Sequence, residues 1–155
     1  MASTVTASTM TVTISESITL NGKNQGGTQT LSIPSIATVS RRIIDVPASE
    51  VEVLAMSTAV AAGTFIESDV LYIRITNLDD TNHVTLLFKN EDNNEYAVKL
   101  DKGQTFIYNG DLADGVVDTM DADSSALSVG LGDLVNITAT ADTAACDVEV
   151  FVACK

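Results

Sequence analysis

His83 is the one histidine of this 155-residue chain, and Cys146 and Cys154 are its only cysteines. With the aspartates at 111, 114, 118, 121 and 123, these are the side chains whose types could do chemistry. A nucleophilic thiol needs a base beside it, and a zinc site needs several Cys or His ligands. His83 follows the turn-like "NLDDTN" and opens an apolar run, with no second histidine and no cysteine near it in sequence. It therefore reads as a solvated or hydrogen-bonded histidine at a strand end. Cys146 and Cys154 lie in "ACDVEVFVACK". On a strand they would share one face about 26 Å apart, whereas a disulfide needs Cα atoms within roughly 7 Å. Two buried thiols are the expectation. A bond between subunits through Cys154, beside the end of the chain, is the alternative.

The carboxylates of Asp111, Asp114, Asp118, Asp121 and Asp123 are hard oxygen ligands of the kind calcium takes. Their spacing does not match an EF-hand loop, and the closing glutamate is missing. An acidic, solvated loop is the expectation, with calcium as the alternative. Glycoside hydrolysis needs two carboxyls across a cleft, one with a raised pKa, and carbohydrate clefts are lined by aromatic platforms. This chain has no tryptophan. It carries neither a Gly-rich phosphate loop nor a G-x-S-x-G elbow. No catalytic, cofactor-binding or metal-ligating residue is assigned, and enzyme activity is not expected.

The elements that would position any such group are strands. From Met10 to Leu20 the even positions read Met, Val, Ile, Glu, Ile, Leu and the odd ones Thr or Ser. Period two marks a strand with one buried face, and Glu16 marks a bulge or break in it. "NGKNQGG" is a hairpin loop. "TQTLSI" and "IATVSRRIIDV" follow as strands, with Pro34 at an edge or crossing. Residues 49–62 fit a strand near 50–58 turning at Gly63, or else a short helix started by the Ser49–Glu52 capping box. Leu71, Ile73 and Ile75 then share one strand face. Val84, Leu86 and Phe88 line the next, Tyr96, Val98 and Leu100 a third, and "QTFIY" forms a fourth. The turns between them predict an antiparallel meander. Residues 109–133 read as a long acidic loop, and two strands, "LVNITATA" and "CDVEVFVA", close the chain. Nine or ten strands with at most one short helix predict an all-β fold, an antiparallel β-sandwich whose connections could be those of a jelly roll. The organisation is a Ser/Thr-rich arm over residues 1–9 and one domain over 10–155, a length that can bury a core.

Charge narrows the partners. Twenty-one acidic against 8 basic residues leave a net charge of −13, so phosphate backbones are repelled and no nucleic acid is expected. Arg41–Arg42 is the one adjacent basic pair, and it sits inside a strand pattern. Such acidity favours solubility at high local concentration, or docking on a basic protein surface. No apolar run approaches the ~20 residues of a membrane span, and "MASTVTASTM" lacks the features of a signal peptide. Synthesis and folding in cytoplasm, with no membrane partner, are the expectation.

The stretch "VLYIRITNLDDTNHVTLLFKNEDNNEYAVKLDKGQTFIYNG", residues 70–110, resembles small structural proteins of tailed bacteriophages, those of marine and cyanobacterial hosts in particular. The features in common are a "YIRITN" strand, an Asp/Asn turn, a strand with a terminal aromatic, and a Tyr-bearing strand leading to "KGQTFIYN". The resemblance covers about a quarter of the chain and includes no catalytic residue. It implies a β-sandwich virion component without enzymatic activity. A capsid decoration (cement) protein on the major capsid protein is the first expectation, self-associating as a trimer. A tail, baseplate or adaptor protein is the second, and a carbohydrate- or receptor-binding sandwich the third. The arm at residues 2–9 could order on a partner by adding a strand to a sheet edge.

Overall fold

A computed structural model describes residues 4–116 and 132–155. The chain runs through β1 (Ser8–Ser15), β2 (Thr19–Leu20), β3 (Lys23–Asn24), β4 (Thr28–Ile36), β5 (Thr38–Val46), β6 (Val51–Ser57) and β7 (Phe65–Ile66). It continues through β8 (Val70–Asn77), β9 (Val84–Asn90), β10 (Glu95–Leu100), β11 (Thr105–Asn109), β12 (Leu134–Ala141) and β13 (Cys146–Cys154). Among the described residues the only helical element is the 3-10 turn Glu67–Asp69. The ambiguous 49–62 region forms β6, where Val53 and Leu54 are buried. The capping-box spacing there is outweighed because a β-branched, alternating segment can be enclosed between strands.

Two sheets make the sandwich. One has the order β11-β8-β13-β5, the other β10-β9-β12-β6, with short β7 added in parallel outside β6. The steps β5 to β6, β8 to β9, β10 to β11 and β12 to β13 each pass from one sheet to the other. Within these two sheets, among the described residues, only β9–β10 is a hairpin. Eight strands in this order are the jelly roll: a paired ribbon folded over itself so that each limb contributes to both layers. The expected meander over residues 71–108 is therefore corrected. β8 pairs with β11, and β9 with β10, across a doubled-back ribbon. A turn such as "NLDDTN" reverses the chain equally well into the same sheet or the facing one. Which of these occurs is decided by the long-range pairings of β12 and β13.

The core lies between the sheets. Ile73, Ile75, Val148, Val150 and Val152 on one side meet Val84, Leu86, Phe88, Ile137 and Ala139 on the other. Cys146 and Cys154 belong to the same cluster. Leu71 departs from the face predicted for it. β13 advances one residue, from Ala153 to Cys154, while β8 steps from Tyr72 to Val70, which leaves Leu71 in a bulge. It packs with Tyr72, Ala153, Ile33 and Ile36 in a second cluster on the outside of the sheet.

That second cluster seats a long hairpin. β1 pairs with β4 in one register from Met10↔Ile33 to Ser15↔Thr28, and β2 with β3 carries the same register on to Leu20↔Lys23. Residues 16–18 lie between β1 and β2 and are outside both strands, yet Glu16 N donates to Gly27 O at 2.8 Å and Gln25 N to Ile18 O at 2.9 Å, so the ribbon stays paired there. Here Gly26 passes so close that a Cβ would lie 2.1 Å from the Glu16 carbonyl oxygen, so only glycine fits. The apex is Asn21–Gly22, both at positive φ, the hairpin turn that Asn-Gly favours. Pro34 lies in β4 beside Ser35 at positive φ, where three residues of β4 span two of β1. Pro34 falls in this register shift and has no partner residue on β1, so its missing N–H removes no paired ladder position. Ser8 and Thr9 already belong to β1.

Candidate interaction surface

The residues singled out for chemistry are dispersed. His83 precedes β9, and its Nδ1 lies 3.6 Å from Asp142 Oδ2. Cys146 opens β13 nearby, 3.9 Å from the His83 carbonyl oxygen and 3.5 Å from that of Ala144, so its Sγ faces backbone acceptors. Burial, and then the charges of Asp79, Asp142, Asp45 and Asp147, push this thiol above its ordinary value. That is the reverse of an activated thiolate. Cys154 is buried at the far end of the same strand, and burial followed by Asp69 raises it to about 11. Both thiols are free. Bonding between subunits through Cys154 is not favoured, because the adjoining chain end is pinned. Lys155 N donates to Asp69 O at 2.8 Å and its Nζ to Ala113 O at 2.6 Å.

Asp111 accepts from the backbone N–H of Ala113 and Asp114, and its backbone bridges Gly115, so it organises a tight turn. Asp118, Asp121 and Asp123 lie outside the described residues. No group of three or more His, Cys, Asp or Glu among the described residues is arranged to hold a metal ion.

Folding does gather acids that are remote in sequence. Asp45, Asp79, Asp80 and Asp147, with Leu78 and Ala145, line an open groove of about 430 Å³ at one end of the sandwich. Asp79 accepts from the N–H groups of Asn82 and Thr81, which hold its carboxyl below the usual range. No aromatic side chain lines this groove. The carboxyl that is pushed up, by burial and then by Asp133 and Glu91, is Glu67, just before β8. Asp79 follows the other end of that strand. Glu67 and the acidic groove are thus separated by the length of β8, so the raised carboxyl does not face the groove's aspartates across a cleft.

The surface with most structure of its own is the outer face of the β11-β8-β13-β5 sheet. Register places Ile107, Arg74, Phe151 and Arg41 in one row across it. Glu149 is buried beside that row. It accepts from Arg41 Nε at 2.7 Å and from Arg74 Nη2 at 2.5 Å. Arg74 also donates to Thr76 Oγ1 at 2.9 Å and stacks over Phe151, 5.6 Å from the ring centroid. The hydrogen bonds from Arg41 and then Arg74 hold the Glu149 carboxyl below the ordinary glutamate value. A depressed folded pKa adds stability that is complete above the unfolded pKa and is lost as pH falls through the folded one. Wild-type protein should therefore lose stability on acidification through that range, and Glu149→Gln should flatten this limb of a stability–pH curve measured by denaturant unfolding. An unchanged limb would mean that the carboxylate has no favourable pairing in the folded state. Arg42, on the opposite face of β5, donates to the Val53 carbonyl and ties the two sheets together.

The hairpin covers only part of this outer face. Ile33 and Ile36 sit on Tyr72 and Ala153, and Val12, Ile14 and Leu31 reach Ile107 and Asn109 on β11 around a groove of about 150 Å³. Beyond that the apolar side of the hairpin continues without cover: Ile14 is 42% exposed, Ile18 48% and Leu20 54%. On the opposite side of the sheet, Val39 and Ile43 of β5 are 53% and 60% exposed. Sequence periodicity indicated the apolar stripe from Met10 to Leu20. It carried no sign that only the first half would be buried, because alternation reports a wet and a dry side without saying what covers the dry one.

No protein-family model matches the chain, and no curated protein is significantly similar to it. The protein is all-β, and its antiparallel sheets pack as a sandwich. No helix among the described residues is long and apolar enough to cross a membrane.

Proposed function

We propose that this chain is a structural protein of a tailed-bacteriophage virion, acting without catalysis as a capsid decoration (cement) protein on the major capsid protein. The observation that carries the proposal is that the residues resembling phage structural proteins, 70–110, coincide with one structural unit. They are the doubled-back ribbon β8–β11, which supplies half the strands of the two four-stranded layers. Jelly rolls serve viral capsids among other roles, and the fold alone assigns none of them. A clamp works through buried area and complementary surfaces, and the uncovered hairpin and outer sheet face offer such surfaces. The high negative charge suits a basic docking partner and keeps free copies apart before assembly.

Quantitative mass spectrometry of purified particles tests this reading. A cement protein should be present at a copy number comparable to that of the major capsid protein. A handful of copies per particle would favour a tail or baseplate role, and absence from particles would end the proposal.

A further inference from the structure

We infer that the overhanging half of the hairpin docks on the outer sheet face of a second copy of this chain, its Ile14–Glu16–Ile18 stripe against Val39–Arg41–Ile43. This deepens the structural-protein reading and rests on it for its biological purpose, though not for its physics.

An isolated two-stranded ribbon is marginal in water, and this one leaves its own support halfway along. Its base is held by the second apolar cluster, and its next turn lies against Ile107 at the β11 edge. From there the register runs on to Leu20, and Ile18 and Leu20 belong to neither apolar cluster of the described residues and stay about half exposed. Three exposed aliphatic side chains on one side of a ribbon form a surface, unlike the same residues scattered singly.

The occupant is indicated by pattern and by charge. On β5 the outward residues are Val39, Arg41 and Ile43, apolar–basic–apolar at every second position. On the hairpin they are Ile14, Glu16 and Ile18, apolar–acidic–apolar at the same period. On β5 the repeat is about 6.8 Å, twice the rise of an antiparallel strand; on the hairpin the bonds Glu16 N to Gly27 O and Gln25 N to Ile18 O keep the ribbon paired between β1 and β2, so the two triplets can lie antiparallel in step. Arg41 suits the role. Its side chain is 67% exposed although it donates to Glu149, so guanidinium surface remains for a second carboxylate. Such a base is scarce in a chain with 8 basic residues against 21 acidic ones.

The chain cannot satisfy this match by itself. The hairpin crosses from the Ala153 region toward β11 and leaves over that edge, whereas Val39 and Ile43 lie on β5, at the opposite edge of the four-stranded sheet. Strands about 4.8 Å apart put the two edges roughly 14 Å from each other. Copies arranged head to tail bring one copy's β11 side to the next copy's β5 side. Such heterologous contacts close into rings when the rotation allows, and a trimer is one such ring.

Sedimentation velocity on the full-length protein and three variants tests the docking. Wild type should self-associate with rising concentration. Ile18→Asp/Leu20→Asp, which spoils the arm, and Ile43→Asp, which spoils the face, should each weaken association at least tenfold. All three positions are exposed, so thermal unfolding should stay close to wild type. Mixing the arm-spoiled and face-spoiled chains should restore a one-to-one complex, since one intact face then meets one intact arm. Glu16→Lys, placed opposite Arg41, should weaken association without altering any buried residue. Should Ile43→Asp not fold, the arm double variant and Glu16→Lys still decide the matter. A wild-type protein that stays monomeric at every concentration reached would overturn the inference and leave the stripe for a different virion protein. So would variants that associate like wild type, or a mixture that forms no complex. Particle mass spectrometry is independent of these results, so a failed docking test leaves the virion assignment standing.

Discussion

Phe88→Ala should lower stability by about 3–5 kcal/mol, the range for deleting a buried aromatic from a close-packed core. Phe88 is 1% exposed and is the hinge of an aromatic trio. Tyr96, directly opposite it in the β9–β10 ladder, stacks on it at 4.6 Å and 6° between planes. Phe106 approaches from the facing sheet at 4.8 Å and 50°. One ring therefore joins neighbouring strands of one layer and also joins the two layers. The truncation leaves a cavity that Tyr96 cannot fill without dragging its hydroxyl inward. Burial, with Tyr108 beside it, already pushes that phenol up to about 12. Equilibrium urea unfolding checks the prediction, with Val60→Ala as the control. Val60 is apolar too but 85% exposed, so its truncation should cost no more than about 0.5 kcal/mol. Equal losses for the two variants would mean that the sheets are not packed through Phe88.

Asn77→Leu should cost about 2–4 kcal/mol, although it replaces a polar residue in the interior by an apolar one of similar size. Asn77 is fully buried at the end of β8. Its Nδ2 donates to the carbonyl oxygens of Asn82 at 2.9 Å and Leu100 at 3.1 Å, and its Oδ1 accepts from Asp79 N at 3.0 Å. Its backbone bonds Gln104 and Gly103. The side chain thus connects the β8–β9 turn to the end of β10, beside the start of β11, where the ribbon folds from one layer to the other. Leucine would leave two carbonyls and one N–H without their side-chain partner, and the bond to the Leu100 carbonyl is the fully buried one. Asn77→Asp should not rescue stability at neutral pH, because a carboxylate cannot donate to the two carbonyls. Thermal unfolding of both variants checks this. A stable Asn77→Leu protein would show that the turn holds by its backbone alone.

Both expectations concern residues whose importance was unevenly visible in the sequence. Phe88 closed a clear apolar alternation, so its burial followed from period two. Asn77 looked like the first letter of a polar turn, because Asn and Asp are common in exposed turns for local reasons. Its burial depends on Leu100, 23 residues away, and no local pattern encodes that partner. The same split runs through the surface. His83 reads as a strand-end residue, and it is one. Nothing in the sequence singled out Glu149, one acid within the closing strand "CDVEVFVA". It is the buried centre of a pair of arginines drawn from β5 and β8. The acidic groove joins three segments, and of its aspartates only Asp79 and Asp80, in the "NLDDTN" turn, were placed by the sequence.

What the sequence determined by itself was local: strands, the alternation that gives them a dry side, a hairpin loop within "NGKNQGG" that the structure narrows to an Asn21–Gly22 turn followed by β3, the break at Glu16 and the absence of the common catalytic motifs. These depend on side-chain alternation and backbone preference over a few residues, which are written consecutively. The tertiary structure alone decided that the turns carry the ribbon across layers, that Leu71 is displaced by a bulge, and that half of the Met10–Leu20 stripe lies uncovered. Each of those outcomes depends on which distant strand supplies the next ladder. Burial and hydrogen-bond satisfaction for the whole chain select that pairing, and no stretch of a few residues contains both partners.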